Sequence, residues 1–189
     1  EQVELIREVC IAARAREVRV ARDAEERDLL WKGRKNAFGA VGRVSPSYYV
    51  QDGVVPRTQI APTLRYIAEV AKKYNLGISN IFHAGDGNMH PIILFNARIP
   101  EELERAKQAG EAILTYCISV GGSITGEHGV GMEKNELMDK LFKPDTLDYI
   151  GRFKTLFDPS GRLNPGKVLP TGKGCLEIRQ APLTRRNTL

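Results

Sequence analysis

Cysteine is scarce in this sequence, and its three copies are far apart. Cys10, Cys117 and Cys175 form no Cys-x-x-Cys pair among the 189 residues. An odd, sparse set of this kind argues against a disulfide framework and for reduced thiols, which suits a cytoplasmic protein. We expect Cys117, which falls within a helical pattern, to fill space in the core.

Long hydrophobic runs and nucleic-acid motifs are also missing. No apolar stretch approaches the roughly 20 residues that cross a bilayer, so we expect no transmembrane segment and at most peripheral membrane contact through a complex. The net charge of +5 is spread along the chain without a zinc-finger or RNA-binding signature, which argues against a nucleic-acid partner. A modest positive charge also suits an anionic substrate or cofactor. The first residues resemble neither an initiator nor a signal peptide, so we expect the chain to derive from a longer protein.

The spacing of apolar residues predicts strands interrupted by helices. Helical periodicity is present over residues 2–15, 23–41, 59–75, 100–120, 132–141 and 144–157. Strand patterns occupy residues 17–21, 48–55, 78–82, 92–95 and 123–125. This order predicts an α+β fold, in which helices pack against an antiparallel sheet and an extended C-terminal segment follows. We divide the chain into a main region, residues 1–157, and a C-terminal segment, residues 158–189, whose end after Lys173 we expect to be loosely held.

The stretch from Ile81 to His90 reads Ile-Phe-His-Ala-Gly-Asp-Gly-Asn-Met-His and predicts a β-hairpin. Residues 85–88 favour turns, so we expect them to form a four-residue loop. His83 would then face His90 on one side of the sheet, about 5 Å apart at Cβ, close enough to share one metal ion. Pro91 lacks a backbone N–H donor and therefore predicts an edge strand or a bulge. The alternative is a turn flanked by polar residues, without an ion.

A second glycine-rich stretch, from Gly121 to Gly131, carries the third and last histidine of the chain. Glu127 directly precedes His128, and adjacent side chains point in different directions on any regular backbone. Glu127 could complete a site of two imidazoles and one carboxylate that leaves positions open for a substrate. His128 could then stand beside the ion as a general base, because histidine is the residue type whose unperturbed pKa, about 6.5, suits proton transfer near neutral pH. The alternative is that both residues cap the helix that follows.

Arg34 is the candidate for binding a carboxylate, because a guanidinium can grip one with two hydrogen bonds. Lys32 and Lys35 are its neighbours, so the residues alone favour a solvated helix face. Tyr48 and Tyr49 are ordinary strand residues unless one of them lines the pocket.

Three motifs follow one another along the chain. They are His83-Ala84-Gly85-Asp86-Gly87-Asn88-Met89-His90, Gly126-Glu127-His128-Gly129-Val130-Gly131 and Asn164-Pro165-Gly166-Lys167. In this order and spacing they resemble the C-terminal half of the FAD-linked oxidases of the vanillyl-alcohol-oxidase type. The resemblance covers nearly the whole chain and is nearest to the branch that acts on D-2-hydroxy acids, which includes glycolate oxidases and D-lactate dehydrogenases.

The resemblance implies a role for each candidate residue. Ligands of a divalent ion, for which zinc, manganese or iron would fit, would be His83, His90 and Glu127. His128 matches the base that takes the substrate hydroxyl proton, and Arg34 matches the arginine that holds the substrate carboxylate. Asn164 matches a residue near the flavin ring of FAD. Residues 1–157 would be the cap or substrate-binding region, and residues 158–189 would return to the flavin domain.

The implied reaction oxidises glycolate or D-lactate to the 2-oxo acid and passes hydride to FAD. Implied partners are the small 2-hydroxy acid, an electron acceptor and other subunits of an oxidase complex. The family's large N-terminal FAD-binding domain is absent from this sequence, so we expect the chain alone to bind FAD poorly and to be inactive. Ile92 stands where relatives with larger diacid substrates place asparagine, which favours a small monocarboxylate. The alternative functions are a non-catalytic binding or assembly module stapled by a metal ion, and a stand-alone metallohydrolase.

Overall fold

The computed structural model describes residues 2–170, apart from the side chain of Phe38. Its helices are α1 (Gln2–Ala12), α2 (Ala24–Lys35), α3 (Ala37–Val41), α4 (Ile60–Tyr74), α5 (Pro100–Ser119), α6 (Met138–Leu141) and α7 (Pro144–Phe157). Its strands are β1 (Ser47–Val50), β2 (Gly53–Val54), β3 (Gly77–His83) and β4 (Asn88–Phe95). The strands pair antiparallel, so the predicted α+β class is confirmed. The predicted loosely held end after Lys173 lies outside the described residues.

The chain forms two compact units, one before residue 45 and one from residue 45 onward. The first unit contains α1, α2 and α3, and Asp23 caps α2, because its carboxylate accepts the Glu26 amide at 2.8 Å. The strand predicted at residues 17–21 is wrong. Arg19 there binds the Glu26 carboxylate at 2.7 Å, and no strand pairs with this segment among the described residues. The predicted helix over residues 23–41 is interrupted at Asn36, and the division predicted at residue 157 stays a prediction.

The central strand of the sheet in the second unit is β4. β3 pairs with one edge of β4, while β1 and β2 share the other edge in one continuous register. The prediction that Pro91 marks an edge strand or a bulge is therefore wrong. The strand predicted over residues 48–55 is split into β1 and β2, and the gap between them lies opposite Pro91.

The predicted hairpin is present, but its loop is residues 84–87 and its register differs from the prediction. His83 pairs with Asn88 and His90 pairs with Ile81, which corrects the predicted pairing of His83 with His90. A shift of two residues keeps every side chain on the same face, so the two histidines remain diagonal neighbours. The loop closes at Gly87, whose φ of +82° favours glycine and whose carbonyl accepts the Val55 amide at 3.1 Å.

Helices α4 and α5 pack against one face of the sheet. Their shared core consists of Val55, Ile67, Val70, Met89, Ile93, Phe95, Ala106, Ala109, Ile113 and Cys117. Cys117 is buried as predicted, and burial raises the pKa of its thiol to about 12. A second core joins α5 to α6 and α7 through Leu114, Ile124, Leu137, Met138 and Leu147. Because side chains alternate along a strand, Met89 and Ile93 point to the helices, whereas His90 points to the opposite face.

Smaller differences concern the ends of elements. Helix α4 ends at Tyr74; the residue after it, Asn75, has a left-handed φ of +51°, and Gly77 opens β3. The strand predicted at residues 123–125 is reduced to one bridge between Ser123 and Val54. A 3-10 turn, Asn135–Leu137, replaces the first part of the helix predicted at residues 132–141. Among the described residues, no helix combines the length and apolar character needed to cross a membrane.

Candidate functional site

The free face of the hairpin holds two histidines in different environments. His83 ends β3 and is 44% exposed, whereas His90 lies inside β4 and is 4% exposed. Their ring centroids are 5.4 Å apart, and the ring planes are nearly perpendicular at 84°. The hairpin thus fixes one ring firmly and presents the other at the edge of the same surface.

Glu127 brings a carboxylate to both rings. Its Oε1 lies 3.5 Å from His83 Nε2, and its Oε2 lies 3.7 Å from His90 Nε2. These distances exceed an ordinary N–H···O hydrogen bond of about 2.7–3.2 Å. Two ligands of a tetrahedral ion, each about 2.0–2.2 Å from the metal, are about 3.3–3.6 Å apart. The three side chains therefore fit the ligand set of a divalent cation with open coordination positions.

The loop that carries Glu127 is held by the buried carboxylate of Asp52. Asp52 accepts the Thr125 hydroxyl at 2.7 Å and the Gly126 amide at 3.1 Å. It also accepts the amides of Glu127 at 3.2 Å and His128 at 2.9 Å. Because consecutive backbone N–H groups point at the Asp52 carboxylate, Asp52 fixes the backbone positions of Glu127 and His128.

A buried lysine balances the charge of Asp52. The Lys134 ammonium lies 3.3 Å from the Asp52 carboxylate, and both side chains are almost fully buried, with 4% and 0% of their surface exposed. Burial alone would raise the pKa of Asp52, but hydrogen bonds from Thr125 and the loop amides, together with Lys134, bring that pKa well below its usual range. Burial lowers the pKa of Lys134, and Asp52 opposes this change. Asp52 is therefore a fixed anion.

His128 stands beside the proposed ligand set. Its exposed ring is stacked on the ring of His90, with centroids 5.2 Å apart and planes inclined by 18°. Asp52, His90 and His128 form a second group of possible ligands. The Asp52 oxygens already accept several hydrogen bonds, so the set of His83, His90 and Glu127 is the better candidate.

Gly126 lets the loop approach the sheet. A Cβ atom at this position would lie 2.7 Å from the Val54 side chain and 2.9 Å from Asn88 Cγ. Real Cβ atoms do not come this close to other heavy atoms, so any larger residue would lift the loop. The glycine before Glu127 thus contributes directly to the distance between the carboxylate and the histidines.

Residues 1–168 match the family described as FAD linked oxidases, C-terminal domain. The chain belongs to this family. The resemblance predicted from three motifs is thereby confirmed.

Proteins from several organisms are similar to this chain. "Glycolate oxidase subunit GlcD" of Escherichia coli (strain K12) is 49% identical, over 94% of this chain and 36% of the relative. The protein of the same name from Bacillus subtilis (strain 168) is 38% identical, over 88% of this chain and 35% of the relative. "D-lactate dehydrogenase [cytochrome], mitochondrial" of Arabidopsis thaliana is 29% identical, over 90% of this chain and 30% of the relative. The chain spans about a third of the length of these relatives.

The third motif of the FAD-linked oxidase pattern lies next to the second. The Gly166 carbonyl accepts the Asn135 side-chain amide at 3.1 Å, and the Val168 amide donates to the Gly131 carbonyl at 2.8 Å. Asn164 has a φ of +49°, and its side-chain oxygen accepts the Lys167 ammonium at 3.0 Å. Its role near flavin stays a prediction.

Arg34 and Ile92 are the two other predicted positions. Arg34 is exposed near the end of α2 in the first unit, whereas the histidines belong to the second unit. Ile92 is fully buried on β4, adjacent to the strand gap. The predicted contact of Arg34 with substrate and the predicted influence of Ile92 on substrate size both stay predictions.

The residues that support the ligand set were not among the predicted site residues. These residues are Asp52, Lys134 and Gln51, whose carbonyl lies 3.3 Å from His90 Nδ1. The available signal was an acidic residue inside an otherwise apolar and aromatic strand pattern. Buried carboxylates require partners, so that position called for a cation or a set of N–H donors elsewhere in the chain.

Proposed function

We propose that this chain is the substrate-binding C-terminal part of a flavin-dependent oxidoreductase that converts glycolate or D-lactate to the 2-oxo acid. The observation that carries the proposal is the convergence of His83, His90 and Glu127 on one surface with His128 stacked beside them. The names of the relatives, glycolate oxidase subunits and D-lactate dehydrogenases, support this substrate class. Isolated from a flavin domain, the chain would be inactive.

In this proposal the hairpin and the loop hold a divalent cation, zinc, manganese or iron. The ligands would be His83, His90 and Glu127, which leave positions open for the hydroxy acid. A cation bound there would polarise the substrate and orient it. The donor set does not distinguish the three metals, because each accepts imidazole and carboxylate ligands.

The remaining residues would handle the proton and the carboxylate. A ring nitrogen of His128, exposed beside the ligands, would accept the hydroxyl proton, and Arg34 would bind the substrate carboxylate. Asn164 would lie near FAD, which is bound mainly by another domain and would accept the hydride. An electron acceptor and other subunits of an oxidase complex would be partners, as the word subunit in the relatives' names supports. A cytoplasmic location stays a prediction from the sparse cysteines.

Dye reduction driven by D-2-hydroxy acids tests the assigned base in the longer protein that contains this chain and a flavin domain. We expect His128→Ala to lower turnover about 10²- to 10⁴-fold, the usual contribution of a general base. Met132→Ala is the matched control, because Met132 is an exposed residue of the same segment outside the cluster. Normal turnover in His128→Ala would exclude the proposed role of His128.

Calorimetric titration with zinc tests the ligand set in the 189-residue chain. We expect one ion to bind, and binding to be lost in the double variant His83→Ala/His90→Ala and in Glu127→Gln. Glu101→Gln, an exposed carboxylate in the first turn of α5, is the control for loss of one negative charge. Undiminished zinc binding in the double variant would contradict the site.

The alternative functions predict different results. A metal-stapled assembly module would lose thermal stability strongly on metal removal while the parent activity stayed intact. The hydrogen bonds of Asp52 to the loop amides are contacts within the protein, so loss of an ion would remove only part of what holds the loop, which argues against that alternative. Hydrolysis of esters or phosphoesters by the chain alone would favour a metallohydrolase.

A further inference from the structure

The gap between β1 and β2 contains an unmatched backbone acceptor. The register of the two strands places Gln51 opposite Pro91. The Gln51 amide donates to the Pro91 carbonyl at 2.9 Å, which marks a hydrogen-bonded antiparallel pair. In such a pair the second bond would run from the amide of residue 91 to the Gln51 carbonyl. Pro91 has no N–H, so this bond cannot form.

His90 occupies the place of the missing donor. Its Nδ1 lies 3.3 Å from the Gln51 carbonyl oxygen, and both residues are buried. A buried carbonyl without a donor is costly, so a neighbouring N–H stabilises the fold when it fills this role. The separation of 3.3 Å is slightly longer than an ordinary hydrogen bond. Because a carbonyl oxygen can only accept, the contact is favourable only when His90 carries a proton on Nδ1.

The proton on Nδ1 determines what the other ring nitrogen can do. Neutral imidazole carries one proton, so His90 Nε2 keeps its lone pair. Nε2 is the atom that faces Glu127 Oε2, at 3.7 Å. A lone pair directed at this position suits a cation, and a hydrogen-bonded partner on the far nitrogen is the common arrangement for metal-binding histidines.

We propose that Pro91 is a positioning residue, which leaves the Gln51 carbonyl free to fix His90 in the Nδ1–H tautomer with Nε2 available for a cation. The binding of a cation by His90 Nε2 rests on the proposed function, whereas the presence of the Nδ1–H tautomer does not. Pro91 is buried in the central strand β4. A proline there lacks a backbone N–H donor and weakens the sheet unless the position has another role. Because Pro91 donates no strand hydrogen bond, the Gln51 carbonyl is available to orient the His90 ring.

Nitrogen NMR of the metal-free chain at neutral pH, with ¹⁵N-labelled histidine, tests the tautomer directly. The chain has three histidines, so His83→Ala and His128→Ala assign the signals. We expect His90 to show a protonated Nδ1 and an unprotonated Nε2. A protonated Nε2 on His90, or an equal mixture of the two tautomers, in the wild-type chain would overturn the inference. This result would need no substitution in the strand.

Pro91→Val tests the cause. Valine suits a strand and restores an N–H that competes for the Gln51 carbonyl, so we expect His90 to become a mixture of tautomers. Pro56→Val is the matched control, because Pro56 is exposed and extended and lies outside the cluster. Signals for His90 that are identical in Pro91→Val and the wild type would overturn the role of Pro91.

Zinc affinity separates this inference from the proposed function. We expect Pro91→Val to bind zinc about 10- to 100-fold more weakly, the usual effect of losing an outer hydrogen bond to a ligand, and Pro56→Val to bind it normally. Equal affinity in Pro91→Val and the wild type would overturn the role of Pro91 in the metal site. Failure of every form to bind zinc, with the expected tautomer in the wild type, would contradict the proposed function and leave the inference on Pro91 and His90 supported.

Discussion

At the scale of single residues, Asp52 supports the candidate site through several hydrogen bonds, although it belongs to none of the three motifs. Its carboxylate organises the loop through backbone amides, so the side chains of Glu127 and His128 remain free to point away from it. Backbone contacts of this kind do not depend on which side chains the loop carries. Asp52 therefore sets the shape of the loop, and the motif residues set its chemistry.

Asp52→Asn is expected to destabilise the chain strongly. The amide would leave the Lys134 ammonium buried without its counter-charge and would present an N–H₂ group to donors of the loop. Removing one partner of a buried ion pair typically costs about 3–5 kcal/mol. Urea unfolding followed by circular dichroism would measure this loss in the free energy of unfolding.

Glu111→Gln provides the control for the loss of a surface ion pair. Glu111 lies 2.8 Å from the Lys140 ammonium, and both side chains are about half exposed. Exposed pairs of this type contribute about 0–1 kcal/mol, so Glu111→Gln should leave the unfolding curve nearly unchanged. Equal destabilisation by the two variants would refute the structural role of Asp52.

At the scale of elements, the hairpin was predictable from its turn residues, but its register was not. The predicted loop at residues 85–88 and the observed loop at residues 84–87 both have four residues and similar turn chemistry. The choice depends on Val55, which binds the Gly87 carbonyl, and on β2, where Val54 pairs with Asn88. These contacts join residues more than 30 positions apart, so the local sequence of the hairpin does not predict them.

The supporting residues of the site were unpredictable for the same reason. Asp52 and His128 are separated by 76 positions, and their hydrogen bond forms only after β2, β4 and the glycine-rich loop have assembled. The candidate ligands themselves were predictable, because histidines and a carboxylate next to glycine turns carry a local signal. Sequence thus indicated the chemistry of the loop and the hairpin, while long-range packing determined how they are held.

Gly126→Ala is expected to move the loop and weaken zinc binding. Its Cβ would collide with Val54 and Asn88, which are parts of two strands and cannot yield easily. Overpacking of this kind costs about 1–3 kcal/mol, and displacement of Glu127 should lower zinc affinity as well. Urea unfolding and calorimetric titration with zinc would measure both effects.

Gly85→Ala is the matched substitution in the hairpin loop. A Cβ at Gly85 meets no heavy atom within 4 Å, so we expect stability and zinc affinity close to those of the wild type. If Gly126→Ala bound zinc as tightly as Gly85→Ala, the close approach at Gly126 would have no bearing on the ligand distances.

At the scale of the whole molecule, the core shared with helices α4 and α5 and the candidate ligands lie on opposite faces of one sheet. Helices α4 and α5 cover the face that carries Met89 and Ile93, whereas His90 lies on the other face, beside His83 and His128. The core of the second unit can therefore be stable without any contribution from the exposed candidate residues. This arrangement allows site variants to be compared without loss of the fold.

Acid should destabilise the folded chain through Asp52. The unfolded pKa of an aspartate is about 3.9, and the folded pKa of Asp52 lies far below its usual range: burial acts to raise it, but hydrogen bonds and Lys134 outweigh that effect. A carboxyl group with a lower folded pKa stabilises the folded state above its unfolded pKa, and this contribution is lost as the pH falls towards the folded pKa. Glu26, whose pKa its hydrogen bonds with Arg22 lower to about 2, acts in the same direction.

We therefore expect the free energy of unfolding to fall steadily below about pH 4 in the wild type, and less steeply in Asp52→Asn. Urea unfolding at a series of pH values between about 5 and 2 would measure the two slopes. Parallel curves for the two proteins would mean that Asp52 has the same affinity for protons in the folded and unfolded chains.

The hydrogen bonds from consecutive amides to Asp52 have a practical consequence for protein engineering. Asp52 holds the glycine-rich loop through the loop's backbone amides. The strand gap, the hairpin and this loop are therefore three short segments that could be transferred together to another protein. Grafting those segments onto another antiparallel sheet would preserve the geometry of the loop, provided that Asp52 and Lys134 were grafted as well. The side chains at positions 127 and 128 could then be exchanged freely to recruit other ions or other chemistry.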